Sequence, residues 1–421
     1  MEHLNAVLTE TSKKNFTDLC SEEFDTEDIS VNFFNVYNNY KKIFTETKTN
    51  IIIKSRILNL DILKNFYHEF VTNENTIYID NINKINLENT YNVVIENNNY
   101  FEFYLFNSDI NYFSKLLHVI NVFTIFVTQH VNFKIDKPVK IYIYINEEKR
   151  QLISSRHIDE NYEYYLQNNT AFTTSGATNG LNNTQSFVYA TKEEEIIKLL
   201  FHELAHLFKL DKNNFTNIMS DVVNKMPFKK IGYENEVVAE LLSNIYNIIN
   251  ICIYVSIDNK LSERQEIRLL NCLLNFEKEY SIYVTAKILK YFNVPINELF
   301  DAKHKINIEA GINFYYVIKS IMYENLNLFQ NYFQNNIIKL DESVYPELVE
   351  IIKNIKNSKY INKLNYYYQN INTNDNYSVS YILFDINLNK IDFANISIIE
   401  PDYKQKYEKY KNKYETLKNN K

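Results

Sequence analysis

The sequence predicts an α+β fold in which a mixed sheet occupies the first half and runs into a helix bearing two histidines, with a mainly helical second half. Three observations predict it. Short apolar runs with two-residue alternation recur between Tyr91 and Ala190, the apolar spacing turns helical after Thr191, and helical patterns dominate from Tyr233 to about Asn370. With 421 residues, 45% of them apolar and 23% charged, the chain is long enough for two or three structural units. Disorder as the whole state is excluded. We divide the chain into residues 1–135, an α/β lead-in; residues 136–250, which hold the histidine motif; and residues 251–421, mainly helical with a late strand pair. No internal repeat or Pro/Gly/Ser linker marks these borders.

In chain order, helical patterns are expected around Ile57–Val71 and Leu116–Val131, with a hairpin between them. Its arms are YNVVIE and YFEFYLF, joined across Asn97-Asn98-Asn99. VKIYIYI (Val139–Ile145) alternates as a strand does, and SFVYA (Ser186–Ala190) is a second β-type run beyond a polar loop. Thr191 with Glu194 three residues on reads as a capping box, and Glu193–Glu195 face the positive end of the new helix dipole. That helix continues through IIKLLFHELAHLF. A second amphipathic helix opens near Tyr233, and YSVSYILFDI and IDFANISII form the late β-type pair before a Lys/Tyr-rich tail.

Composition narrows the classes of function. Net charge is −7, from 45 Lys+Arg against 52 Asp+Glu scattered along the chain, so no nucleic-acid footprint is expected. Cys20, Cys252 and Cys272 are too few and too far apart for a disulfide framework, which points to a reducing compartment. The first thirty residues hold no apolar segment with a small-residue cleavage site, and an intracellular protein is expected. Leu116–Val131 and Leu241–Ile257 are interrupted by His or Asn and read as core helices, not membrane spans. Excess Asn, Ile, Lys and Tyr suggests an AT-rich genome, of a microbe, parasite or large DNA virus; for a virus the expected compartment is host cytoplasm. The same excess devalues Asn-x-Ser/Thr matches such as those at Asn168 and Asn182.

His202-Glu203-Leu204-Ala205-His206 is HExxH inside a helical pattern. Positions i and i+4 lie one turn apart on one face, so both imidazoles can reach one zinc ion. Glu203 projects beside them, where a carboxylate can take a proton from a metal-bound water and hand it to a leaving amine. That chemistry is hydrolysis. His68-Glu69-Phe70-Val71-Thr72 begins alike but has Thr at the second ligand position, and His68 reads as structural. A catalytic zinc needs a third protein ligand and one open position. Glu236 and Glu240 lie one turn apart on the polar side of the second helix; either can be that ligand, and the other can accept Nδ1–H from a ligand histidine. Glu236 is preferred as ligand and Glu240 as the orienting group. Three of the four glycines, Gly176, Gly180 and Gly232, surround this region, and a substrate strand beside Ser175–Leu181 would be β-augmentation.

These residues resemble a zincin metallopeptidase of the gluzincin type, in which HExxH is followed by E-x-x-[small]-acid on a later helix, here Glu236-Val237-Val238-Ala239-Glu240. Within that group the chain is most similar to the peptidase unit of bacterial collagenases. The matching segments are KIYIYINEEKRQL, TTSGATNGL, QSFVYA, LLFHELAH and ENEVVAELLS, covering residues 139–250. The resemblance implies a zincin-like fold and a zinc-dependent endopeptidase acting on proteins or peptides. It implies zinc ligation by His202, His206 and Glu236, general-base action by Glu203, and substrate alignment along Asn179 and Gly180. It further implies an oxyanion-stabilising tyrosine, for which Tyr280 or Tyr283 is the nearest match. The family's loop has two adjacent glycines where Gly180 is followed by Leu181, and its calcium-binding acids are Asn182, Asn183 and Thr184 here, so calcium dependence is not implied; the activator region and collagen-binding modules of secreted collagenases do not fit in this length, so a collagen substrate is not implied either. The alternative is a non-catalytic interaction protein on the same scaffold, which predicts unchanged biological activity in Glu203→Gln.

Overall fold

The structure is a computed structural model and describes residues 31–57, 59–61, 87–106, 109–132, 137–146, 176–178, 185–191, 196–211, 222, 224–227, 234–291, 293–302, 312–330, 337, 344–371 and 395–399. Within these residues it is a mixed α+β protein with a mixed sheet and mostly helical content.

The described strands are β1 (Thr49–Arg56), β2 (Thr90–Ile95), β3 (Phe101–Phe106), β4 (Val139–Asn146), β5 (Gly176–Thr178), β6 (Gln185–Thr191) and β7 (Ile396–Ile399). They form one sheet in the order β5-β6-β4-β3-β2-β1-β7. The hairpin β2–β3 and the pair β1–β2 are antiparallel. The pairs β3–β4, β4–β6 and β1–β7 are parallel, and β5 runs antiparallel to β6. The hairpin turn needs Asn97 at φ 64°, which asparagine tolerates better than most residues. Strands from all three stretches distinguished in the sequence thus share a single sheet. Residues of β3 and β4 are buried on both faces, with Phe103 and Leu105 on one side and the stacked rings of Tyr104 and Tyr142 on the other. Near-continuous apolar sequence in a strand follows from such two-sided burial.

The structure adds to the sequence expectations here. Thr49–Arg56 is a strand that the sequence reading did not assign, with Thr49, Ile51 and Ile53 pointing into the core. Ile57 follows it without helical structure, Asp61 is helical, and residues 62–71 of the expected helix lie outside the described residues. Of the late pair, Ile396–Ile399 is a strand and pairs with β1. Thr191, expected to cap the next helix, is the last residue of β6; Glu193–Glu195, residues 377–386 and the tail lie outside the described residues.

Nine helices are described: α1 (Val31–Glu46), α2 (Ile110–Thr128), α3 (Ile196–Leu207), α4 (Glu234–Asn259), α5 (Glu263–Tyr291), α6 (Ile312–Glu324), α7 (Leu326–Gln330), α8 (Val344–Lys353) and α9 (Lys359–Asn370). Asp109 caps α2 by accepting from the amide of Tyr112. Helices α2 and α4 are long and apolar enough to cross a membrane, yet most of α2 and all of the apolar window of α4 are buried inside the fold. Apolar sequence around most of a helix follows from that burial, because neighbours cover every side. Phe123 of α2 ties the layers together, its ring packing on Phe201 and Phe208 of the α3 region and on Tyr246 of α4. Helix α3 packs against β5, β6 and α4, and α4 against α5 and α6. The sheet edge at β5 and the helical layer therefore meet at α3.

Candidate metal centre

Helix α3 forms because its aliphatic residues recur at helical spacing, and all of them are buried. His202 and Glu203 are buried, whereas His206 is partly open. One turn apart, the two imidazoles cross at 79° with ring centroids 4.8 Å apart, and their Nε2 atoms are 3.1 Å from each other. Helix α4 brings Glu236 across the gap: Oε2 lies 2.9 Å from Nε2 of His202 and Oε1 lies 3.3 Å from Nε2 of His206. Tetrahedral coordination with bonds of about 2.0–2.1 Å needs donor atoms about 3.3 Å apart. His202, His206 and Glu236 have the atom types and the spacing to hold one divalent ion.

Each imidazole has a carboxylate behind it. Asp211 Oδ2 is 2.7 Å from Nδ1 of His206, and Glu240 Oε2 is 3.2 Å from Nδ1 of His202, in contact but off the line of a good hydrogen bond. With Nδ1 of His206 donating to Asp211, the neutral ring turns a lone pair at Nε2 toward Glu236. Lone pairs and a carboxylate facing one another at about 3 Å repel unless positive charge sits between them.

The electrostatics follow from that demand. Burial pushes His202 down, but the hydrogen bond to Glu236 and the close carboxylate of Glu240 outweigh it and carry the imidazole up to about 9. Burial likewise opposes charge on His206, yet Asp211, Glu236 and the charge of Glu203 raise it well above its ordinary value. Burial would raise Glu236, but the two histidines hold it well below the usual carboxylate range. Burial would raise Glu240 too, and Lys198, Lys319 and His202 hold it well below. Protons can provide the positive charge the cluster requires; a divalent ion can replace them.

Of the residues singled out in the sequence, His202, His206 and Glu236 converge, Glu240 stands behind His202, and Glu203 is buried on the same helix. Asn179 and Gly180 lie outside the described residues, directly after β5. Tyr280 and Tyr283 of α5 stack on each other, and Tyr283 packs edge-on against Tyr367 of α9. Sequence reasoning missed Asp211, Lys198, Lys319 and Tyr316. Asp211 reaches His206 because the chain reverses at the end of α3: Leu210 N–H donates to Ala205 O, Lys209 N–H to His206 O, and Lys209 sits at φ 58°. A lysine in that left-handed position gives no glycine signal. Lys198 had a legible signal, a charge four residues before His202 in an aliphatic helix.

No family model matches the chain, and no solved structure matches it. It is similar to a protein of Acanthamoeba polyphaga mimivirus called "Uncharacterized protein R210", at 24% identity over 296 residues, or 67% of this chain and 71% of that one.

Proposed function

We propose that the chain is a zinc-dependent metalloendopeptidase of the gluzincin type, with a zincin-like arrangement of sheet edge, HExxH helix and glutamate helix. The observation that carries this is the convergence of two Nε2 atoms and one carboxylate from α3 and α4, each imidazole backed by its own acid. His202, His206 and Glu236 are the ligands; Asp211 and Glu240 orient the rings. Zinc held there supplies Lewis acidity, acidifying a water and polarising a carbonyl oxygen. Glu203 takes the proton released as a water attacks the peptide carbonyl and passes it to the amine nitrogen as the C–N bond breaks. Strand β5 supports the substrate assignment: it ends the described sheet beside α3, so an extended peptide can add to its outer edge.

The test is metal analysis of the purified protein together with hydrolysis of a mixed peptide substrate by wild type and Glu203→Gln. About one zinc per chain is expected. Hydrolysis should fall by about 10²–10⁴-fold in Glu203→Gln while metal content is retained. A natively folded wild type that takes up no zinc, or a Glu203→Gln variant that hydrolyses peptides as wild type does, overturns the assignment.

A further inference from the structure

We infer that Lys198 and Lys319, with Tyr316, are positioning residues that lock Glu240 behind His202 and thereby leave Glu236 as the carboxylate that faces the ion. This rests on the zinc reading above. Glu240 is 1% exposed, and both its oxygens are engaged. Oε2 meets the Lys198 ammonium and Nδ1 of His202; Oε1 is 3.3 Å from Oη of Tyr316 and 3.5 Å from Nζ of Lys319. A carboxylate has about four acceptor positions, and here four donor groups from α3 and α6 surround them.

The two lysines are themselves buried. If Glu240 swung round toward the Nε2 side, it would leave the buried Lys198 ammonium behind and Lys319 with Glu277 alone, which is strongly unfavourable. Lys319 cannot easily follow it. Its ammonium sits 4.7 Å from the ring centre of Tyr316 and 3.7 Å from Glu277, and Glu277 is tied to α4 by Asn244 Nδ2 at 3.1 Å. Glu236 has no such anchor in its described contacts: they are the two imidazoles, and its side chain is about 30% exposed. One glutamate is therefore fixed by charges on its far side and the other is presented to the ion. Helix α6, more than a hundred residues from the HExxH motif in sequence, becomes part of the centre.

The experiment measures zinc affinity by chelator competition and the visible spectrum of the cobalt-substituted protein, for wild type, Lys198→Met, Lys198→Arg, Glu240→Gln and the Lys198→Met/Glu240→Gln double variant. Lys198→Met should weaken zinc by about 10–100-fold, the range for lost outer contacts to ligand histidines. Lys198→Arg should restore most of it. In the Glu240→Gln background the methionine should add less than about twofold, because Lys198 acts through that carboxylate. A folded Lys198→Met that binds zinc as tightly as wild type or tighter, as loss of a nearby positive charge alone would produce, overturns the inference; so do lesions that multiply. If Lys198→Met does not fold by circular dichroism, Lys319→Gln in the same cycle decides by the same criteria. Wild type that binds neither zinc nor cobalt removes the zinc reading itself, an outcome distinct from binding that ignores the lysines.

Discussion

Zinc entry should expel more than about one proton from this centre at pH 7, and proton counting tests the electrostatics of the site directly. An ordinary imidazole, with a pKa near 6.5, is about one-quarter protonated at pH 7, so two of them would release about half a proton between them. Contact with Glu236 carries His202 up to about 9, and Asp211 and Glu236 raise His206 above its ordinary value, so the centre holds more protons before metal arrives than two ordinary imidazoles would. Glu236 is held low and has no proton to give. The perturbation is zinc titrated into metal-free protein at pH 7, in two buffers of different ionisation enthalpy; the difference in calorimetric heat gives the protons released. Apparent affinity should also rise by at least about 10-fold per pH unit between roughly pH 6 and 8. In the metal-free protein the sign is the reverse for stability: charged His202 contributes stability present below about pH 6.5 and lost as pH rises through about 9. Release of about half a proton would refute the claim that Glu236 and its neighbours raise both imidazoles.

Asp211→Asn should weaken zinc by about 10–100-fold with little change in folding, read by chelator competition. His118, buried behind β1 with Nδ1 2.9 Å from Oγ1 of Thr49, is pushed down to about 4 by burial. Its contribution to stability is complete above about pH 6.5 and disappears as pH falls to about 4. The loss amounts to about 3 kcal/mol, and urea unfolding across that range should show a shallower slope in His118→Asn. Phe123→Ala should cost about 3–5 kcal/mol in the same assay, since its ring is fully buried among Phe201, Phe208 and Tyr246.

Local spacing made part of the centre legible. The i, i+4 histidines and the Glu236/Glu240 pair depend only on helical periodicity, and aliphatic neighbours stated that periodicity clearly. The hairpin and β4 were legible because alternation and an Asn-rich turn coincide there. Asp211 was hidden because its approach depends on a left-handed Lys209, a conformation that the residue type does not announce. Lys319 and Tyr316 were hidden for another reason: their relation to Glu240 exists only after α4 and α6 pack. Strand β1 was obscured because its partner in one direction, β7, lies some 350 residues later, and the isoleucine run of Ile51–Ile53 does not by itself separate strand from buried helix.

That distant pairing bears on biogenesis. During synthesis β1 leaves the ribosome some 350 residues before Ile396–Ile399, and its β7-facing flank waits over that interval for its partner. An unclosed, isoleucine-rich border invites association with other nascent chains, so premature stops before Ile396 should yield aggregates sooner than short-lived monomers.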